Sequence, residues 1–188
     1  MAGLILLDRD GVINRDSDAF VKSTDEFIPL PGAYEAIATL CRSGFLIAVC
    51  TNQSGVGRGL ISEAELAKIN RKMVRGVTAA GGVVHGMRYC PHLPEDGCEC
   101  RKPQPGMVVE LMAELGSEPA ATTLVGDSIR DLQAGQAAGC RVVLVRTGNG
   151  ADSEAKARAL GFQEVYDDLA SFARAEVSRL NAASGVQQ

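Results

Sequence analysis

Apolar and polar positions along the chain fall into blocks of two lengths. Short, largely aliphatic runs at 4–7, 45–50, 122–125 and 141–145 read as buried strands, because four to six consecutive apolar residues bounded by turn signals suit a central parallel sheet. Residues 83–89 form a less regular candidate, broken by His85, Gly86 and Arg88, and 164–166 reads as a short edge strand. Between them lie segments with helical spacing. Residues 33–42 carry Ile37, Leu40 and Cys41 on one side and stop at Ser43-Gly44. Ser62 with Glu65 has the capping-box spacing that opens a helix to about residue 80, closed by Gly81-Gly82. Helices follow at 107–115, 129–138 and 154–160. Leu169, Phe172, Ala173, Val177 and Leu180 then mark a last amphipathic helix. Strands that alternate with helices predict an α/β fold with a mostly parallel sheet flanked by helices. We read one domain over 1–180 and a frayed polar tail over 181–188.

The polar residues that interrupt this pattern cluster at the ends of the strands. Asp8 and Asp10 follow the first strand at i and i+2, so both side chains point the same way. Thr51 and Asn52 follow the second, within a polar loop that carries Gly55, Gly57 and Gly59. Lys102 precedes the helix at 107–115. Gly126-Asp127 ends the strand at 122–125, with Asp131 one turn later. In a parallel sheet these groups share the carboxyl rim, where open α/β sheets bind ligands. Carboxylates gathered there suit a hard cation, and Mg²⁺ fits because it takes few protein ligands. A hydroxyl, loop amides and a lysine opposite the cation suit a phosphate dianion. The stretch 14–27 is long and polar for a βα connection, which marks it as a second candidate wall of the site.

Composition narrows the class further. The 188 residues contain 19 Lys and Arg against 23 Asp and Glu, with no Trp, which disfavours a nucleic-acid or membrane-surface role. No apolar run approaches the ~20 residues of a membrane span, and no signal-peptide pattern is evident, so a cytoplasmic location is expected; a monomer acting on a small molecule is a separate expectation. In such a compartment cysteines serve as ligands or buried thiols rather than disulfides. Cys90, His92, Cys98 and Cys100 lie within eleven residues and match a Cys₃His zinc site, closed and therefore structural. Cys41, Cys50 and Cys140 sit in or beside apolar elements and read as buried thiols. His85 receives no role.

The order of these motifs resembles the haloacid dehalogenase (HAD) superfamily of phosphatases. That pattern is DxDG[TV], then Thr or Ser, then Lys, then GDxxxD. Here it is carried by Asp8-Arg9-Asp10-Gly11-Val12, Thr51, Lys102 and Gly126-Asp127-Ser128-Ile129-Arg130-Asp131. The resemblance implies a Rossmann-like HAD fold and a covalent mechanism, with Asp8, Asp10, Thr51 and Lys102 as the catalytic residues. Asp8 would be the nucleophile and Asp10 the acid and base, with Mg²⁺ held by Asp8, the Asp10 carbonyl and Asp127. Thr51, the Asn52 amide and Lys102 would hold the phosphoryl oxygens, and Asp131 would position the loop or Lys102. No insert is long enough for a large cap domain.

A CxH…CxC loop that runs into Arg101-Lys102-Pro103 is similar to two groups of that superfamily. These are the heptose-1,7-bisphosphate 7-phosphatases of lipopolysaccharide core (ADP-heptose) synthesis and the histidinol-phosphate phosphatases. The second loop, Thr51-Asn52-Gln53-Ser54-Gly55 with Arg58-Gly59, matches the heptose group. The five-residue spacer between His92 and Cys98 matches the histidinol group. The resemblance implies substrate contacts from Asn52, Gln53, Ser54 and Arg101, with Asp16 to Ala19 near the sugar. A phospho-accepting signalling domain is the alternative of another class. It would have no use for an acid and base at Asp10.

Overall fold

Leu4–Leu7 form the first strand, β1, with Ile5 and Leu7 packed on one face of the sheet and Leu4 and Leu6 on the other, all at most 1% exposed. The computed structural model describes residues 3–183 and 185. Among these, β2 is Leu46–Asn52, β3 Gly86–Cys90, β4 Thr122–Gly126, β5 Arg141–Val145 and β6 Val165–Tyr166. The sheet runs β3-β2-β1-β4-β5-β6 with every neighbouring pair parallel. Strand order reverses between β1 and β4, so the crevice at their carboxyl ends is the expected ligand position.

The helices are α1 (Ala33–Arg42), α2 (Ser54–Gly57), α3 (Glu63–Ala79), α4 (Gly106–Leu115), α5 (Ile129–Ala137), α6 (Gly150–Ala159) and α7 (Leu169–Ala183). Ile37 and Leu40 of α1, Met73 of α3 and Phe172 of α7 cover the face that carries Ile5, Ile47, Val49 and Val143. Met107, Val108 and Leu111 of α4 cover the opposite face over Leu4, Leu6, Ala48 and Leu124. Leu132, Leu144, Ala157 and Phe162 close the remainder under α5 and α6. No inserted domain covers the carboxyl rim among the described residues. None of the described helices is long and apolar enough to cross a membrane.

Several elements differ from the sequence reading. β2 runs past Cys50 to Asn52, because Thr51 and Asn52 pair with Tyr89 and Cys90 of β3. β3 begins at Gly86 rather than at 83. His85 stands in for backbone ahead of it, since its amide donates to the Ile47 carbonyl (2.7 Å) and the Ile47 amide donates to its Nδ1 (3.0 Å). That bond is the role the sequence did not disclose, and it makes Nδ1 the unprotonated nitrogen. The loop after β2 contains the short α2, and α6 starts four residues early because Gly148-Asn149-Gly150 imitates a loop in sequence. Ser62 accepts from the Glu65 amide as expected, but the Glu65 carboxylate pairs with Lys68 instead of returning to Ser62. Cys50 and Cys140 are buried, whereas Cys41 is only partly covered and accepts from the Val83 amide. Asn181 to Ala183 continue α7; the rest of the expected tail, except Gly185, lies outside the described residues.

Candidate active site

Register brings the motif residues to one rim. Leu7 aligns with Val49 and with Val125, so Asp8, Thr51 and Asp127 emerge one or two residues later on three adjacent strands. The Asp8 amide extends the ladder to the Val125 carbonyl at 3.0 Å. Together with Asp10, Asn52, Gln53, Ser54, Arg101, Lys102 and Asp131 they line a cavity of about 180 Å³. Asp16, Ser17, Phe20 and Val21 from the loop after β1 add to its wall, as do Ser128, Arg130 and Asn149, while Ala19 is exposed and not part of it.

Lys102 is the electrostatic centre of the site. It is 1% exposed, and its Nζ donates to the Cys50 carbonyl (2.8 Å) and pairs with Asp8 Oδ1 (3.1 Å) and Asp131 Oδ1 (2.6 Å). Burial works against the ammonium, but Asp131 and Asp8 outweigh it and hold Lys102 protonated, above its ordinary value. Asn52 splints the same residue. Its side chain accepts from the Lys102 amide and donates to the Lys102 carbonyl, both at 3.0 Å. The Asn52 side chain thus lines the cavity while bracing the Lys102 backbone.

The carboxylates divide by environment. Burial pushes Asp8 up to about 8; Asp131, Asp127 and Asp10 add to the rise and Lys102 opposes it. Burial and Asp131 raise Asp127 to about 7, against the bonds it accepts from Asn149. Asp131 is also buried, yet Lys102 and the Ser128 bonds hold it below the usual carboxylate range. Both of its oxygens are committed, Oδ1 to Lys102 and Oδ2 to the Ser128 amide (3.0 Å) and hydroxyl (2.6 Å). Asp127 Oδ2 receives the Asn149 amide (2.8 Å) and side chain (3.2 Å). Gly11, at φ 82°, and Gly148, at φ 58°, press against that oxygen, and a Cβ at either would lie within 2.2 Å of it. Ligand atoms of Asp8, Asp127 and Asp131 lie within 4.8 Å of one another, a group that could hold a metal ion.

Asp10 is the most heavily bonded of the acids. Its Oδ1 accepts from Asn14 Nδ2 (2.8 Å) and its Oδ2 from Gln53 Nε2 (2.7 Å), while Arg9 reaches both oxygens. Gln53 Nε2 also donates to Thr51 Oγ1 (3.0 Å), so it bridges the acid and the hydroxyl at the cavity wall.

A second metal-type cluster sits beside the cavity. Sγ of Cys100 lies 3.1 Å from Cys90 and 3.5 Å from Cys98, Cys90 lies 3.6 Å from Cys98, and His92 Nδ1 lies 3.5 and 3.2 Å from Cys90 and Cys100. These separations exceed an S–S bond and approach the edges, about 3.5–3.8 Å, of a zinc tetrahedron with S and N ligands. The Arg101 guanidinium donates to the His92 carbonyl at 3.1 Å, which ties the cluster to the wall of the cavity.

Three participants escaped the sequence reading. Asn149 joins Asp127 to Asp16 (2.7 Å), and only the placement of its loop behind β5 on the same rim hinted at it. Arg130, inside the GDxxxD motif, lines both this cavity and a neighbouring one of about 390 Å³. Arg9 is fully buried against Asp10.

Comparison with known proteins agrees with this geometry. Residues 99–172, which include Lys102, Asp127 and Asp131, match the HAD-hydrolase-like family model. The fold and its site define a phosphatase of the HAD class. A D-glycero-beta-D-manno-heptose-1,7-bisphosphate 7-phosphatase of Bordetella bronchiseptica is 49% identical over 170 residues, 90% of this chain and 95% of that protein. One of Pseudomonas aeruginosa is 46% identical over 172 residues, covering 92% and 96%. The crystal structure of the B. bronchiseptica D,D-heptose 1,7-bisphosphate phosphatase, complexed with magnesium and phosphate, superposes with a TM-score of 0.90 at 47% identity, over 94% of this chain and 99% of that one. The chain belongs to the D-glycero-beta-D-manno-heptose-1,7-bisphosphate 7-phosphatase family.

Proposed function

We propose that this protein hydrolyses the 7-phosphate of D-glycero-β-D-manno-heptose 1,7-bisphosphate, a step in making the heptose precursor of lipopolysaccharide core, through an aspartyl-phosphate at Asp8. The observation that carries the reading is the convergence of Asp8, Thr51, Lys102 and Asp127 on one small cavity, with Asp10 beside them. The relatives named above carry the β designation, which supports that anomer.

The oxygen donors fit a hard cation. Burial first, and then the neighbouring Asp131, raise Asp8 and Asp127, so a cation between them would offset charge that the site resists, and the bonds on Asp131 leave it no free oxygen. Asp8, the Asp10 carbonyl and Asp127 would hold Mg²⁺, which when bound offsets charge on the phosphoryl oxygens. Asp8 attacks phosphorus, and the bond from phosphorus to the sugar oxygen breaks. Asp10 gives that oxygen its proton and later takes one from the water that cleaves the aspartyl-phosphate. Thr51 and Lys102 bond the phosphoryl oxygens throughout, from positions already fixed before substrate arrives. Arg101, Ser54 and Asp16 contact the sugar. The Cys₃His cluster would hold zinc as a closed structural site, with the loop's aim at the cavity as its contribution.

Two results follow from the metals. Asp8 and Asp127 have folded-state values above the ordinary 3.8, so between about pH 4 and 7–8 the folded protein retains protons that the unfolded chain has lost. Their contribution to stability is therefore complete below pH 4 and is lost as pH rises through 7–8. Melting without Mg²⁺, zinc retained, is expected to show a lower Tm at pH 8 than at pH 5.5, and the Tm rise on adding Mg²⁺ to be larger at pH 8. A Tm gain from Mg²⁺ that is equal at both pH values would refute the assignment. For the second cluster, Cys100→Ser is expected to reduce bound zinc below one per chain and to lower kcat/KM by about 10²-fold, mainly through KM, because Arg101 loses its anchor. Metal analysis and steady-state kinetics on one preparation check both.

Phosphate release from the β and α anomers of the heptose bisphosphate and from histidinol phosphate, with Mg²⁺ and with Asp8→Asn as the blank, tests the whole reading. Preference for the β anomer is expected. Preference for histidinol phosphate would overturn the substrate, and stable labelling of Asp8 without turnover would overturn hydrolysis.

A further inference from the structure

Arg9 has no place in the mechanism above, yet among the described residues it is the largest fully buried side chain, at 0% exposure. Its Nε and Nη2 donate to Asp10 Oδ1 (3.2 and 3.1 Å) and its Nη2 to Oδ2 (3.0 Å). The remaining arm, Nη1, donates to Asn70 Oδ1 on α3 at 3.1 Å. A buried guanidinium is costly unless paired, and Asp10 is the carboxylate that pairs with it here. We propose that Asn70 and Arg9 form a positioning relay for the acid step: Asn70 fixes the plane of Arg9, and Arg9 fixes the plane of Asp10.

The bonds on Asp10 are unequal, and the inequality selects the oxygen that works. Oδ1 has three donors, two from Arg9 and one from Asn14, whereas Oδ2 has one from Arg9 and one from Gln53. Oδ2, with two donors against three, is the less committed oxygen, and it carries the proton by giving up one of those two bonds. As the P–O bond breaks, the O–H bond on Oδ2 breaks with it and the proton passes to the departing alkoxide. The electron pair stays on Asp10, which becomes anionic. A guanidinium already in place stabilises that charge as it develops, with no reorganisation at the moment of transfer. Arg suits this better than Lys because its planar fork holds a carboxylate in one orientation.

The inference rests on the phosphatase reading and deepens it, and leaving-group dependence separates the two. An alkyl phosphate needs a proton on its leaving oxygen; p-nitrophenyl phosphate does not. Because kcat/KM reports only steps through the first irreversible one, it isolates formation of the aspartyl-phosphate. Arg9→Lys is expected to lower kcat/KM for the heptose bisphosphate by about 10²-fold, the low end of what a general acid supplies, and Asn70→Ala by about tenfold. For p-nitrophenyl phosphate both variants are expected to stay within about threefold of the unchanged protein. Asn70 is only partly buried, so its truncation tests the relay even where Arg9→Lys fails to fold. Equal losses on both substrates, or no loss in Asn70→Ala, would overturn the relay while leaving the phosphatase assignment intact. An unchanged protein that releases phosphate from neither substrate would overturn both.

Discussion

Asp8→Asn lowers phosphate release by at least about 10⁴-fold in the expected result, because the amide cannot form the acyl-phosphate and no neighbouring carboxylate can take its place. Asp10 is held by Arg9, Asn14 and Gln53, Asp131 by Lys102 and Ser128, and Asp127 by Asn149. Each is fixed in a different direction. The same substitution is expected to leave Tm unchanged or raise it at pH 8. Asp8 is a largely buried acid pushed up to about 8, and replacing it with a neutral isostere removes a charge the fold resists. Lys102 keeps Asp131 as its counter-ion. Activity lost together with a lowered Tm would mean that Asp8 is structural, and the nucleophile assignment would fall.

Lys102→Met has the opposite signature. It is expected to lower kcat/KM by about 10³-fold, as removal of a fixed cation from a forming charge does, and also to destabilise the protein. Asp8 and Asp131 lose the cation that both share, and a broken buried pair costs about 3–5 kcal/mol. In a chain of this size that is a Tm drop of about 10 °C. The pH dependence identifies the cause. Without Lys102 both carboxylates are raised, so the drop is largest at pH 8 and shrinks as pH falls and they protonate. A Tm drop independent of pH would place the cost in packing instead of charge.

Much of the site could be read before any fold was known, for a local reason. Asp8 and Asp10 share a direction because a strand alternates its side chains, and the Cys₃His cluster closes within one loop, so neither depends on distant chain. The supporting residues were not legible. Arg9 depends on Asn70, which is 61 residues away, and Asn149 depends on Asp16, 133 residues away. Gln53 was read as a substrate contact. The structure turns its amide onto Asp10 and Thr51, a direction set by how β2 and β1 lie together.

The sequence by itself determined the α/β class, the parallel strands, the motif order and the two metal-type clusters. Each rests on periodicity or spacing within a few residues. Only the tertiary structure decided which acid is free and which is committed. Asp127 and Asp131 sit four residues apart in one motif, yet one is raised and the other lowered, because Lys102 reaches Asp131 from across the sheet and does not pair with Asp127. Charge and burial depend on the neighbours that folding supplies, and no local pattern encodes them.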